Sequence, residues 1–350
     1  TMNKGITVGL DLGDRYSHIC VLDNQGEILE EGRVRTTEAA LRRKFGTLEA
    51  CTVALEVCGH SPWTSRLLEE LGHTVVVAQA AKVALIHHNR NKGDRVDAQT
   101  LALLAHANPK LLWPIRHRGV HTQEDLQVIR SREALVEART KLINHIRSTV
   151  KVHGERLPSC GSDAFAGKMA AELPEALKPV LSSLLEVIGD LTKRIRAYDR
   201  RIEELCGRYE ETERLRQVPG VGPVTALTFV LSIEDPHRFA KSRDVGPYLG
   251  LTPRRDQSGD VDKQLRITKA GNTYLRKLLV GCAQYILGPF APDSALRTWG
   301  LARAARGGKN AKKRAVVAVA RRLAVLLHRL WVNGAVYTPF PQRSMAEEVV

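Results

Sequence analysis

Two apolar segments near the start of the chain each end in a single carboxylate. Residues 6–10 precede Asp11, and residues 51–55 precede Glu56. Apolar runs of this length are typical of buried strands. A charged carboxylate at the end of a buried strand is costly unless it is paired or binds a metal. The two runs therefore predict strands that carry Asp11 and Glu56 to a polar site at the edge of a sheet.

A second pair of carboxylates, Asp94 and Asp97, opens a helical pattern at residues 94–106. Residues three apart lie on one face of a helix. Alone, the pair is better explained by a favourable interaction with the helix dipole. Four carboxylates in one pocket repel each other unless Mg²⁺ or Mn²⁺ lies among them, and two such ions serve phosphoryl transfer. The predicted metal ligands are Asp11, Glu56, Asp94 and Asp97.

The order of predicted elements indicates an RNase H-like (RuvC-like) domain of α/β class with a mixed sheet over residues 1–110. In that fold the first and fourth strands are neighbours, which brings Asp11 beside Glu56. The actin and sugar-kinase superfold shares this start, but the chain has no convincing second phosphate loop or adenosine motif. The predicted strands are 4–12, 16–23, 27–36, 51–57 and 74–78, and the predicted helices are 37–45, 61–71, 80–87 and 94–106.

Residues 111–212 read as a helical coiled-coil linker or oligomerisation region. Apolar residues, Val187 among them, recur at roughly coiled-coil spacing over 122–153 and 174–212. An antiparallel coiled-coil hairpin and a plain layer of a helical bundle explain this pattern equally well.

Residues 213–340 read as a mainly helical C-terminal domain, followed by a tail at 341–350. Residues 218–226 contain the glycine-rich turn of a helix-hairpin-helix, a DNA-backbone motif that also occurs as a simple turn. Ser258 is expected in a loop next to Gly259 and among cations. A serine there is either a nucleophile towards a phosphodiester or a turn residue. The cations considered for nucleic-acid binding there are Arg254, Arg255, Lys269 and Arg276.

The charge of the chain is unevenly spread. The net charge is +15, yet residues 1–100 carry −1 and the remainder +16. A basic body predicts a polyanionic partner, most simply nucleic acid, although a basic solubilising surface has the same composition. Residues 294–346 contain no acidic residue. Within them a predicted phosphate-contacting loop enters a helix, unless this is only a solvated basic helix. Its residues are Lys309, Lys312, Lys313 and Arg314.

The six cysteines include no CxxC pair, which argues against a zinc site. The sequence contains no recognisable signal peptide or membrane span, so we expect a cytoplasmic protein of a prokaryotic cell.

The acidic residues and the block at 250–276 together resemble the DEDD transposases of the insertion-sequence one-ten family, relatives of the Piv DNA invertases. The resemblance extends over roughly residues 5–335. It implies a RuvC-like domain, a coiled-coil middle and a C-terminal transposase domain with a catalytic serine. On it, Asp11, Glu56, Asp94 and Asp97 match the metal ligands and Ser258 matches the nucleophile that links covalently to DNA.

The same resemblance implies the partners and assembly. These are donor and target DNA, a bridge RNA that pairs with both, and a homo-oligomer, from dimer to tetramer, with active sites shared between subunits. Two positions depart from the family pattern. Gln257 stands where a second serine often precedes the nucleophile, and the role of His60 after Glu56 is open.

The function expected from the sequence is therefore that of a transposase, a site-specific DNA recombinase. Two rivals remain: a RuvC-like junction nuclease that uses water, and a noncatalytic nucleic-acid-binding protein.

Overall fold

Two compact units make up the chain, residues 1–119 and 120–350. They are seen in a computed structural model that describes residues 5–79, 93–258 and 261–340. The predicted helix at 80–87 and the predicted tail at 341–350 lie outside the described residues. Most of the predicted middle region, residues 120–212, and the predicted C-terminal domain fall together in the second unit, whereas residues 111–119 belong to the first. The boundary predicted at 212 stays a prediction.

The first unit is built on a mixed sheet, as predicted. Its strands lie in the order β3-β2-β1-β4-β5. β1 pairs antiparallel with β2 and parallel with β4. The strands are β1 (Thr7–Asp11), β2 (Tyr16–Leu22), β3 (Ile28–Arg35), β4 (Thr52–Glu56) and β5 (Thr74–Ala78).

Helices cover both faces of this sheet, which explains why its central strands are apolar throughout. On one face, α1 (Glu38–Phe45) and α2 (Ser61–Glu70) pack against Val53 and Leu55 of β4. On the other face, α3 (Asp94–Ala107) packs against Ala54 of the same strand. The alternation of buried partners along β4 sends Glu56 to the face that α3 covers.

Two long helices form an antiparallel pair at the start of the second unit. They are α4 (Val120–Val152) and α6 (Lys178–Cys206), and the short α5 (Phe165–Met169) lies between them in sequence. Arg132 near the start of α4 bonds Asp199 near the end of α6, and Arg139 bonds Thr192. The buried residues of α6 follow one another in alternating steps of four and three from Leu181 to Ile195, as in a coiled coil, and resume one heptad later at Ile202. They are Leu181, Leu185, Ile188, Thr192, Ile195, Ile202, Leu205 and Cys206.

The placement of Val187 in the buried stripe of α6 was wrong, because this side chain is 46% exposed. Its neighbour Ile188 takes the inward position and is fully buried.

The rest of the second unit is mainly helical around one core. Phe229, Leu279 and Leu323 are buried together there. Among the described helices, none combines the length and apolarity needed to cross a membrane. The helices are α7 (Glu211–Arg216), α8 (Pro223–Ile233), α9 (Val245–Tyr248), α10 (Thr273–Leu287), α11 (Ala295–Ala305) and α12 (Ala311–Asn333).

The glycine-rich turn at 217–222 joins α7 to α8, as the hairpin pattern predicted. Gly220 has φ +86°, a conformation that favours glycine, and a Cβ on it would lie 2.7 Å from Cδ1 of Tyr285. This turn is thus pressed against α10, and no larger residue fits at Gly220.

A β-hairpin interrupts the helices where a loop was expected. β6 (Pro253–Ser258) pairs antiparallel with β7 (Val261–Ile267), in a register that matches Ser258 with Val261. The expectation of a loop at Ser258 was wrong, since Ser258 is the last residue of β6. The strand was missed because its residues are mostly polar. Two strands can form backbone hydrogen bonds without an apolar face, so the hydrophobic pattern of the sequence does not indicate such a hairpin.

Candidate metal centre and nucleic-acid interface

Asp11 and Glu56 lie at the same edge of the sheet. β1 and β4 are parallel neighbours, with Leu10 in register with Leu55, so the next residue of each strand is the carboxylate. Both carboxylates are half-buried, whereas Leu10 and Leu55 are fully buried. The strand pairing therefore brings these two acidic residues side by side, as the apolar runs predicted.

Helix α3 brings the second pair of acidic residues to this edge. Asp94 and Asp97 occupy its first turn, and Ala98 and Ala102 pack onto β1. The approach is possible because β1 has Gly9 at the crossing point. A Cβ there would lie 2.0 Å from the Ala98 carbonyl oxygen and 2.6 Å from the Ala102 nitrogen.

The charges of the four carboxylates act on each other at Asp11. Burial, followed by the negative charges of Asp94, Asp97 and Glu56, raises the pKa of Asp11 from 3.8 to about 6. A divalent cation bound among these carboxylates would offset their mutual repulsion. Oxygen donors of this kind suit Mg²⁺ and Mn²⁺.

His18 belongs to the same cluster, although the sequence reasoning missed it. It lies opposite Asp11 in the β1–β2 register. Its Nδ1 is 3.7 Å from Oδ2 of Asp94. The ligand atoms of Asp11, His18 and Asp94 all lie within 4.8 Å of one another, close enough that the three side chains could hold one metal ion. The signal available in the sequence was the position of His18 on the predicted strand 16–23, which directly follows the strand that carries Asp11.

His60, whose role was open, has partners at both ring nitrogens. Its Nδ1 accepts a hydrogen bond from Nε1 of Trp63 at 3.2 Å, and its Nε2 lies 3.7 Å from Oδ1 of Asp14. These contacts hold the ring at the start of α2.

Ser258 and the cations near it in sequence fall in the second unit. Ser258 is the last residue of β6, and Arg254 and Arg255 on the same strand are exposed. Lys269 is exposed and has φ +57° just after β7. Arg254, Arg255 and Lys269 are therefore accessible to a polyanion.

Arg276 has surroundings that do not suit the predicted role in nucleic-acid binding. It is 8% exposed. Its guanidinium donates to the carbonyl oxygens of Leu249 and Ala270, at 3.1 and 2.7 Å, and to Oγ1 of Thr273. These hydrogen bonds satisfy backbone carbonyls on both sides of the β-hairpin in the sequence, so Arg276 holds together the two ends of the segment that contains the hairpin.

The predicted basic loop lies at the N-terminus of α12. Lys309, Lys312, Lys313 and Arg314 are all exposed there. Further along α12, the guanidinium carbon of Arg322 is 3.7 Å from the centre of the Trp299 ring of α11, and that of Arg303, also on α11, is 4.9 Å from it. The burial of Arg322 and the charge of Arg303 lower the pKa of Arg322. Clustered cations of this kind suit phosphate contacts.

Comparison with known proteins finds matches over most of the chain. Residues 8–154 match a family of DEDD transposases of the IS110 type, described as "Transposase". Residues 212–297 match the family described as "Transposase IS116/IS110/IS902 family". The first match includes all four acidic residues, and the second includes the β-hairpin with Ser258.

Similar proteins carry the same description. The transposase for insertion sequence element IS1111A of Coxiella burnetii is 27% identical over 338 residues, 94% of this chain and 90% of that protein. A probable family 20 transposase of Pseudomonas aeruginosa is 29% identical, over 80% of this chain and 83% of that protein. The transposase for element IS1328 of Yersinia enterocolitica is 29% identical, over 79% of this chain and 82% of that protein.

Proposed function

Because the chain belongs to the IS110 family of DEDD transposases, we propose that it moves an insertion sequence with a metal-bound acidic tetrad and a serine nucleophile. Its relatives imply in general terms an enzyme that cuts and rejoins DNA. The observation that supports the proposal is that the parallel neighbours β1 and β4 end at Asp11 and Glu56, while α3, with Asp94 and Asp97 in its first turn, packs onto β1. The N-terminal domain is accordingly taken as RNase H-like (RuvC-like).

Asp11, Glu56, Asp94 and Asp97 would hold the cation, Mg²⁺ or Mn²⁺. When bound, it would polarise the scissile phosphate and stabilise the leaving 3′-oxygen. The chain itself supplies the rigid placement of the ligands, since two come from paired strands and two from a helix packed onto one of those strands. By neutralising their mutual repulsion, the cation would allow all four carboxylates to be ionised together at neutral pH.

Ser258 is proposed as the nucleophile. Its hydroxyl oxygen would form a bond to phosphorus as the bond to the 3′-oxygen breaks, the serine proton leaving to solvent and the 3′-oxygen gaining one. The phosphoserine ester conserves the energy of the broken bond, so a second 3′-hydroxyl reverses the step and joins a new strand. Arg254 and Arg255 on the same strand are suited to stabilise the phosphate charge. Exposed Lys269, Lys309, Lys312, Lys313 and Arg314 would contact the nucleic-acid backbone.

Guidance by a bridge RNA, assembly into a dimer to tetramer and a location in the prokaryotic cytoplasm complete the proposal. The first two rest on the family resemblance, and the basic second unit is compatible with either DNA or RNA, because phosphate contacts do not distinguish them.

The test is a covalent-adduct assay. The purified protein is incubated with Mg²⁺, DNA that carries the junction of its element, and RNA from the flank of the element. Denaturing electrophoresis should then separate a protein–DNA adduct that disappears in Ser258→Ala and in Asp11→Ala. The matched control Ser159→Ala, an exposed serine of the same unit, should retain it.

The rival functions give different results in this assay. Cleavage without an adduct, unchanged in Ser258→Ala, would identify a nuclease that uses water. Binding without any Mg²⁺-dependent cleavage would identify a noncatalytic nucleic-acid-binding protein. An adduct that forms without the RNA would remove the guide from the proposal.

A further inference from the structure

We propose that His18 supplies an imidazole nitrogen to the cation held at the acidic tetrad, which makes this a mixed nitrogen–oxygen site. The inference rests on the proposed function only in assuming a divalent cation at Asp11. It adds a ligand, and a metal preference, that the acidic tetrad alone does not give.

The distances fit joint coordination. Two ligand atoms on one ion are separated by about 3 to 4.3 Å, because each lies about 2.1 Å from the metal. Nδ1 of His18 is 3.7 Å from Oδ2 of Asp94, and the ligand atoms of Asp11, His18 and Asp94 lie within 4.8 Å of one another. A small side-chain rotation therefore suffices to close the three ligands on one ion.

The fold directs these three side chains to the same face of the sheet. Asp11 and His18 are direct cross-strand partners, so their side chains share a face. Cys20, two residues further along β2, is buried with Ala98 and Ala102 of α3. The alternation of β2 therefore turns His18 towards the helix that carries Asp94. Two strands and a helix therefore set the placement of these three side chains.

The chemistry of an imidazole ligand differs from that of a fifth carboxylate. Neutral imidazole adds a donor without adding negative charge to a cluster in which burial and repulsion already raise the pKa of one carboxyl group. Nitrogen donors also favour transition metals over Mg²⁺. The site should therefore bind Mn²⁺ more tightly than Mg²⁺, and His18 should be the source of that preference.

Pulsed electron paramagnetic resonance of Mn²⁺ bound to the full-length protein tests this directly, because a coordinated imidazole gives a characteristic ¹⁴N coupling. We expect the coupling in the wild type and its loss in His18→Ala and His18→Gln. His60→Ala is the matched control, since His60 lies at the same distance, 3.7 Å, from a different aspartate. It should retain the coupling.

Equilibrium titration gives the second readout. His18→Ala should weaken Mn²⁺ binding about tenfold or more, because loss of even an outer-shell partner of a metal ligand costs about that much. Mg²⁺ binding, measured by competition, should change much less. Circular dichroism checks that the half-exposed position tolerates both substitutions.

Each contrary result has a distinct meaning. Bound Mn²⁺ without ¹⁴N coupling would overturn the role of His18 and leave the carboxylate site in place. Coupling that persists in His18→Ala but not in His60→Ala would also overturn it. A wild-type protein that binds no Mn²⁺ at all would overturn both this inference and the proposed metal tetrad.

Discussion

At the scale of single residues, Asp11 couples the stability of the first unit to pH. Its pKa is raised to about 6 in the folded chain, against 3.8 without the fold. Between these values the metal-free folded state binds more protons than the unfolded state. The contribution of Asp11 to the free energy of unfolding is therefore fully present below pH 3.8 and is lost as the pH rises through about 6.

Asp11→Asn should therefore stabilise the metal-free protein at pH 7.5. Allowing for the partial exposure of Asp11, we expect a gain of about 1–2 kcal/mol. Thermal unfolding with and without Mg²⁺ measures it, and the variant should lose any stabilisation by Mg²⁺. Asp14→Asn is the control, because the Asp14 side chain is 93% exposed. A variant less stable than the wild type at this pH would contradict the argument.

Protons and metal ions should compete at Asp11. A protonated carboxyl group must lose its proton before it binds a cation, so Mn²⁺ affinity should fall by up to about tenfold for each pH unit below the pKa of Asp11. Above a pH of about 6 the affinity should level off. Calorimetric titration with Mn²⁺ between pH 5 and pH 8 measures this dependence, and an affinity independent of pH would show that Asp11 is not a ligand.

At the scale of elements, the contact between α3 and β1 depends on Gly9. Gly9→Ala places a methyl group 2.0 Å from a backbone oxygen, and backbone cannot yield as a flexible side chain does. We expect a loss of about 3 kcal/mol or more together with weaker metal binding, because α3 moves with Asp94 and Asp97. Chemical denaturation measures the loss.

Gly32→Ala is a matched control for this substitution. Gly32 also lies within a strand of the sheet, but a Cβ there meets nothing within 4 Å. Its effect should stay within about 1 kcal/mol. Equal losses at the two glycines would rule out the close approach of α3 as the cause.

The buried stripe of α6 predicts a contrast between neighbours. Ile188→Ala removes a fully buried side chain and should cost about 2–5 kcal/mol of unfolding free energy. Val187→Ala, at a position 46% exposed, should cost about 0.5 kcal/mol or less. Urea denaturation of both variants measures these losses. Similar losses would contradict the assignment of Ile188 to the buried face of α6 and of Val187 to its exposed face.

The elements of the first unit were largely predictable from the sequence, because strands buried on both faces are apolar throughout and end at carboxylates. The same reasoning found Asp11 and Glu56. It missed the β6–β7 hairpin, whose first strand is polar after Pro253 and shows no apolar alternation, and it missed His18, whose place beside Asp11 depends on strand register. It misjudged Arg276, because only the folded chain reveals that backbone carbonyls surround its guanidinium.

At the scale of the whole molecule, the asymmetry of charge predicts how nucleic-acid binding responds to salt. Residues 1–100 carry −1 of a net charge of +15. Replacement of Lys309, Lys312, Lys313 and Arg314 by Gln should reduce the slope of log affinity against log salt by about 3 to 4, if each contacts one phosphate. Binding to duplex DNA over a series of salt concentrations measures the slope. An unchanged slope would assign the basic segment to solvation.

Arg276→Gln offers a contrast within the same unit. Because Arg276 is buried against backbone carbonyls, its loss should lower thermal stability and leave the salt dependence of the remaining folded protein unchanged.

The close approach of α3 to β1 at Gly9 also affects how the results of a saturation-mutagenesis screen of this protein should be interpreted. In a transposition selection, Gly9 should be as intolerant of substitution as Asp11, although glycine offers no group that reacts with DNA. Selection data alone would therefore place a packing position within the catalytic set. Only a parallel screen for cellular abundance would separate the two, since Asp11 variants should accumulate normally and Gly9 variants should be degraded.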